Sequence, residues 1–307
     1  MQTTEQRRPI GFVGLGVMGA GQAANLAAKA DREILVFDRD ASRQAALVEA
    51  GASGADGLAE LGRACAIVFL SLPGDAEAEA ALTGEDGLLT SGAPIVVNLG
   101  TVSMRATERL AEHCERHGTT YVDAPVARGA EGARAGTLSM TVGASPAVFA
   151  VVEPYLRTMA TDIVHCGPTG AGALVKLANN TIVTETVVAA AEMLTLIRRS
   201  GLVDPEVAVT ALEAGSAGGF VMSNHIRRHM LTGRHGTDKF PSRYMAKDVG
   251  YTRDYAADIG VRLPQAAVAA ELLAETIDAG HGDQYFTSVV EVLDDRDGPA
   301  DTEEGRR

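Results

Sequence analysis

Residues 10–19 read IGFVGLGVMG, and this stretch decides how the N-terminal half folds. A short apolar run, Ile10–Val13, enters Gly14-Leu15-Gly16-Val17-Met18-Gly19, a GxGxxG pattern, and Met18–Ala30 continues as Ala-rich, helix-prone sequence. Strand, glycine turn and helix in that order make a cradle for a pyrophosphate. The first glycine permits the tight turn, the second lets phosphate approach the backbone, and the third lets helix and strand pack closely. The helix N-terminus supplies the attraction for negative charge.

Outward from the loop, Glu33–Asp38 (EILVFD) reads as a second strand that ends on an acid 19 residues after Gly19. A carboxylate at that place accepts hydrogen bonds from adenosine ribose hydroxyls and repels a 2′-phosphate. The expected cofactor is therefore NAD rather than NADP, although Arg39 beside Asp38 suits a 2′-phosphate. Ser42–Ala50 reads as helix, Cys65–Leu72 and Ala93–Leu99 as strands, Thr107–His117 as helix and Thr120–Ala124 as strand. Strand alternating with helix predicts an α/β fold, a Rossmann doubly wound parallel sheet.

Near Gly167 the strand signals stop. Gly172–Arg199 is a long Ala/Leu/Val-rich segment, followed by helical patterns at Asp204–Ala214, Met222–Leu231, Ser242–Ile259 and Pro264–Ala279. The expected organisation is an NAD-binding domain over 8–168 and an all-helical substrate and dimerisation domain over 169–292. The residues 293–307 mix acids, Gly and Pro without apolar period and read as a disordered acidic tail.

Bulk properties narrow the function. A net charge of −13 disfavours nucleic acid. No 18-residue unbroken apolar run and no N-terminal signal pattern are visible, so no membrane partner and a cytoplasmic location are expected. Cys65, Cys114 and Cys166 lack CxxC spacing and read as reduced thiols. His113 and His117, like His225 and His229, are four apart on helices, but no third ligand is near; both pairs read as solvated faces, and no metal is expected.

The opening GFVGLGVMGAGQAANL resembles that of the β-hydroxyacid dehydrogenases, the group containing 3-hydroxyisobutyrate dehydrogenase and tartronate semialdehyde reductase. Three further blocks agree in order: Asp123–Gly143 with the family's substrate-binding block, Gly170–Asn180 (GAGALVKLANN) with its catalytic block, and Lys247-Asp248 with its second lysine block. The resemblance covers roughly residues 9 to 290. It implies that Lys176 is the catalytic residue. Hydride transfer from an alcohol carbon needs a partner for the hydroxyl proton, and a partly desolvated lysine on an apolar helix suits that task. Asn180 lies one helical turn on and shares its face, where it would hold substrate or orient the lysine. The resemblance further assigns cofactor contacts to Thr101, to Leu72-Pro73 over the ribose, and to Lys247 near the nicotinamide, with Phe240 as its shield. Gly215–Phe220 matches a loop closing over the pocket.

One departure stands out. Where most relatives read DAPVSGG, this chain has Ala127-Arg128-Gly129. Ala127 lacks the serine hydroxyl, and Arg128 brings a charged fork suited to a carboxylate, sulfonate or phosphate. This resembles the sulfolactaldehyde and succinic semialdehyde reductase branch, so Arg128 is expected to anchor the substrate's anion, with Arg134 ranked below it. The expected activity interconverts a small anionic β-hydroxy acid and its semialdehyde. An imine reductase, which usually lacks the lysine, is an alternative, as is a non-catalytic NAD-binding module. 6-Phosphogluconate dehydrogenase needs a far longer helical region. Apolar faces such as Val183–Leu196 predict a homodimer or homotetramer.

Overall fold

The structure is a computed structural model that describes residues 8–296. By its internal contacts the chain divides into two compact units, between Leu177 and Ala178.

The first unit is built on β1 (Ile10–Val13), β2 (Ile34–Phe37), β3 (Ser53–Gly54), β4 (Ile67–Leu70), β5 (Ile95–Asn98) and β6 (Thr120–Asp123). These strands lie parallel in the order β3-β2-β1-β4-β5-β6. Between them run α1 (Gly19–Lys29), α2 (Ala41–Glu49), α3 (Leu58–Ala64), α4 (Asp75–Thr83) and α5 (Met104–Arg116). Near-continuous apolar strands require cover on both faces, and alternation along each strand supplies two cores. Ile10, Phe12, Ile34, Val36, Ile67, Phe69, Val97 and Val122 enter one core. Val13, Leu35, Val68, Leu70, Val96 and Tyr121 enter the other. Phe12 and Phe69, on neighbouring strands, stack with centroids 6.3 Å apart.

Beyond β6 the sheet changes character. β7 (Val126–Ala127), α6 (Gly129–Ala135), β8 (Leu138–Gly143), α7 (Pro146–Met159) and β9 (Ala160–Gly167) follow. β8 runs antiparallel to β6 and β7, and β9 runs parallel to β8. The expected parallel Rossmann sheet is thus present with a mixed edge added. β9 has a single buried residue and alternates weakly, so it carries little apolar signal.

The second unit is helical, with no strand among its described residues. It contains most of α8 (Ala171–Ser200), then α9 (Pro205–Ala214), a π-type segment at Val221–Met230, α10 (Ser242–Asp258), α11 (Pro264–Thr276) and α12 (Val289–Asp295). Asp204 caps α9 by accepting from Glu206 N at 2.8 Å, and Pro205 takes the first helical position. Val187, Val188, Ala191 and Leu194 of α8 pack with Met222, Ile226, Val249, Leu272, Leu273, Phe286, Val289 and Val290. α8 has the length and mean hydropathy of a bilayer span, and no other described helix does. A core-lining helix has the same composition.

Two expectations need correction. Leu293–Asp295, assigned to the acidic tail, complete α12: Leu293 is buried, and Asp294 accepts from Thr195 and Arg198. The remaining tail residues 297–307 lie outside the described residues. His225 is not on a solvated face. It is buried, with Nδ1 2.7 Å from Tyr285 Oη, among the rings of Phe220, Tyr285 and Phe286. That burial pushes its pKa down to about 4.

Candidate active site

β1 stands between β2 and β4, so the chain leaves it toward opposite sides of the sheet and opens a crevice at the carboxyl ends of the strands. The glycine loop fills the turn from β1 to α1. A methyl group at Gly14, whose φ is +89°, would run into Ser71 O and come within 3.0 Å of Leu72 Cδ2. One at Gly19 would collide with Gly14 O. Gly16 differs: a methyl there would meet only Arg43 Nη1, at 3.7 Å. The fold itself therefore demands the first and third glycines, whereas the second keeps clear a space that the protein leaves open. α1 begins without a side-chain cap or an acid in its first turn, so no carboxylate competes for its N–H groups. Val17 is exposed at the loop tip, while Leu15 and Met18 pack inward. These features fit a bound pyrophosphate.

Asp38 follows β2. Its Oδ2 accepts from Leu15 N at 2.6 Å, and its Oδ1 accepts from Asp40 N at 2.9 Å. One carboxylate thereby ties the glycine loop to the next turn, a role that spacing alone did not reveal. Arg39 is exposed beside it. Arg43, not anticipated from the sequence, sits 3.9 Å from Asp38 Oδ2. After β4, Leu72 is half-buried and Pro73 exposed. Leu72 O would lie 2.6 Å from a methyl at Gly100, so the turns after β4 and β5 are in contact. Asn98, buried at the end of β5, donates to Tyr121 Oη at 3.0 Å and accepts from Gly100 N at 3.0 Å. It shapes the turn that presents Thr101.

α8 follows β9 and begins against the end of β6. There Asp123, 1% exposed, accepts from Gly170 N and Ala173 N, each at 2.7 Å. Burial holds its carboxyl above the usual range, against the pull of these amides. Thr141 Oγ1 donates to Gly172 O at 2.9 Å and adds a second tie. Lys176, half-buried, is in the next turn.

Ala127 ends β7, and Arg128 and Gly129 open α6 with left-handed backbone; among the described residues Arg128 is the one non-glycine at positive φ, +84°. Arg128 Nη1 donates to Thr137 O at 3.0 Å, Thr161 Oγ1 at 3.0 Å and Asp162 Oδ2 at 2.6 Å. These contacts lie on the β8–β9 edge, and they hold the Asp162 carboxyl below its usual range, with Thr161 contributing most. An anion reaching Arg128 would meet a guanidinium already facing a carboxylate. Arg134 is in the last turn of α6.

In the second unit, Asn180 Nδ2 donates to Asp248 Oδ2 at 2.6 Å, and Lys247 Nζ lies 2.9 Å from Asp248 Oδ1. Two residues named from sequence thus converge on a fully buried carboxylate. Lys247 Nζ also sits 4.7 Å from the centroid of the Tyr251 ring. Phe240 packs on the helical core, edge-on to Tyr244, and Phe220 is 61% exposed at the end of the Gly215–Phe220 loop. Among the described residues no cluster of three His, Cys, Asp or Glu side chains could hold a metal. Cys65 and Cys114 are free and buried, with pKa values pushed up to about 12 by desolvation.

A crevice shaped to take a dinucleotide by its pyrophosphate makes the first unit a dinucleotide-binding domain. Residues 9–167 match the NAD binding domain of 6-phosphogluconate dehydrogenase, and 170–293 match the family described as NAD-binding of NADP-dependent 3-hydroxyisobutyrate dehydrogenase. The 2-(hydroxymethyl)glutarate dehydrogenase of Eubacterium barkeri is 32% identical over 96% of this chain and 97% of its own. The 3-hydroxyisobutyrate dehydrogenase of Pseudomonas aeruginosa is 33% identical over 94% and 99%. Among solved structures, a Mycobacterium tuberculosis 3-hydroxyisobutyrate dehydrogenase with L-serine superposes with a TM-score of 0.84 at 26% identity, covering 94% of this chain and 99% of that one. The chain belongs to the β-hydroxyacid dehydrogenase family. It is an NAD(P)-dependent hydroxyacid dehydrogenase, with NAD the supported cofactor.

Proposed function

We propose that this enzyme interconverts a small anionic β-hydroxy acid and its semialdehyde, with Lys176 exchanging the hydroxyl proton. The observation that carries the reading is the seat of α8: the helix bearing Lys176 is fastened to the carboxyl edge of the sheet that the glycine loop shares. The compounds named with the relatives point the same way. 3-Hydroxyisobutyrate, L-serine and 2-(hydroxymethyl)glutarate each carry a primary hydroxyl on the carbon β to a carboxylate.

Gly14–Gly19, Asp38, Leu72-Pro73 and Thr101 would hold NAD, which when bound would supply the acceptor for a hydride from the hydroxyl-bearing carbon. As that C–H bond breaks, neutral Lys176 Nζ takes the hydroxyl proton and the C=O bond forms; reduction returns the proton from the ammonium. Asn180, held by Asp248, keeps a fixed orientation one turn along the same helix. Lys247 Nζ is held by the same carboxylate. Ala127 offers the substrate no hydroxyl, so its anion depends on backbone groups near Gly129 and on any exchange of Arg128 from Asp162. Ile182, Met193 and Leu196, each at least 48% exposed, recur on one face of α8 and support a homo-oligomer, dimer or tetramer.

The test is absorbance at 340 nm with NAD and a panel of primary β-hydroxy acids against α-hydroxy acids such as lactate. Turnover confined to the β-hydroxy acids is expected. Turnover of lactate alone, or of none of the panel in either direction, would refute the assignment.

A further inference from the structure

The family chemistry concentrates attention on Lys176, yet a lysine on a mobile turn would exchange its proton poorly. Placement errors of about 1 Å are enough to cost orders of magnitude in rate. What holds that turn in place is therefore part of the machinery. The first turn of α8 has N–H groups with no helical partner, as every helix start does. Two of them, at Gly170 and Ala173, are taken by the two oxygens of one carboxylate, each at 2.7 Å.

We propose that Asp123 is a positioning residue for Lys176: its carboxylate, fixed at the end of β6, sets the height and rotation of the turn that leads to the lysine. Three observations support this. Asp123 is 1% exposed and belongs to the strand itself, so it moves only with the sheet. Its two oxygens grip amides three residues apart, which fixes rotation about the helix axis as well as distance. The surrounding residues are small by necessity: a methyl at Gly172 would come within 2.9 Å of Asp123 Oδ2, and one at Gly143 would be driven onto the same carboxylate. Ala173 is one turn before Lys176, so a displacement at its amide passes directly to the lysine's backbone.

The inference rests on Lys176 being the proton-exchanging group, and the experiment separates the two. Asp123→Asn keeps the shape of the side chain but turns an N–H₂ donor toward one of the two N–H groups, breaking one hydrogen bond and opposing a donor to a donor. The full-length enzyme is assayed for kcat and KM, for NADH affinity by fluorescence, and in a double-mutant cycle with Lys176→Met. The expected result is a fall in kcat of about tenfold or more with NADH affinity within about twofold of the parent. In the Lys176→Met background the same substitution should lower the residual rate no further. An additive loss in that background, or an unchanged kcat in Asp123→Asn, overturns the proposal. If Lys176→Met itself keeps full activity, the functional reading fails instead. Should Asp123→Asn not fold, Thr141→Val removes the second tie to Gly172 O while leaving the carboxylate. A lower kcat at unchanged NADH affinity then supports the positioning role, and an unchanged kcat refutes it.

Discussion

Replacing Gly14 and Gly16 separately by alanine separates what the fold needs from what the cofactor needs. At Gly14 the left-handed backbone costs roughly 1–2 kcal/mol for a residue with a Cβ. The methyl group would also be driven onto Ser71 O and against Leu72 Cδ2, an overpacking worth roughly 1–3 kcal/mol. The sum, about 2–5 kcal/mol, lowers the Tm of a unit this size by about 5–15 °C. At Gly16 the nearest atom to a methyl is 3.7 Å away, which is ordinary contact. Alanine there should leave the fold unharmed, or stabilise it by about 0.4–1 kcal/mol through the unfolded chain. The same methyl group fills the space left for phosphate, so the Kd for NAD should rise about tenfold or more. Thermal melts without cofactor, paired with NADH fluorescence titrations, read both quantities. Gly16→Ala melting as low as Gly14→Ala, or binding NADH as tightly as the parent, would refute the assignment of the loop.

Asp38→Asn should weaken NAD binding by about tenfold or more, since a charge-assisted acceptor contributes roughly 1.5–3 kcal/mol. The ratio of NADP to NAD affinity should rise; an unchanged ratio in paired titrations would argue against discrimination by this acid. Arg128→Gly relieves a left-handed backbone but frees Asp162 from its partner, so the Tm should move by only about 2 °C. If exchange of Arg128 onto the substrate occurs, KM for an anionic β-hydroxy acid rises far more than for its neutral ester, and equal changes would exclude it. His225 is held neutral, with its pKa about 4 against 6.5 in its ordinary state. The unfolded chain therefore binds a proton first as pH falls, and stability present above pH 6.5 is lost on the way down to pH 4. His225→Phe should flatten that part of the Tm profile, by up to roughly 3 kcal/mol; a profile as steep as the parent's would show that another group carries it.

The glycine loop, the strand pairs around it and the helical second half were legible because each obeys a local rule. GxGxxG sits between a β-prone run and an alanine-rich helix, and Asp38 falls where the next strand must end. The mixed edge was not legible. Val126–Ala127 is too short to show a period, and β9 has too few buried positions to stand out. Helix starts were missed where the cap lies in an unremarkable turn: α5 begins at Met104 because Ser103 accepts from Ala106 N, three residues before the expected start. Spacing and resemblance nominate Lys176, Asn180 and Lys247, whereas the bonds made by Asp123, Asp248 and Asn98 are tertiary and no spacing encodes them. Arg128 shows the converse: its charge was readable, and its partners Thr161 and Asp162, more than thirty residues on, were not.

In the proposed reaction the amine of Lys176 moves the proton while hydride passes from the substrate carbon. Lys176→Met tests it most directly, assayed at 340 nm with NAD and a turned-over β-hydroxy acid alongside an NADH titration. A kcat lowered by about 10²–10⁴ with NADH still bound is expected. Turnover at the parent rate with methionine at that position would contradict it.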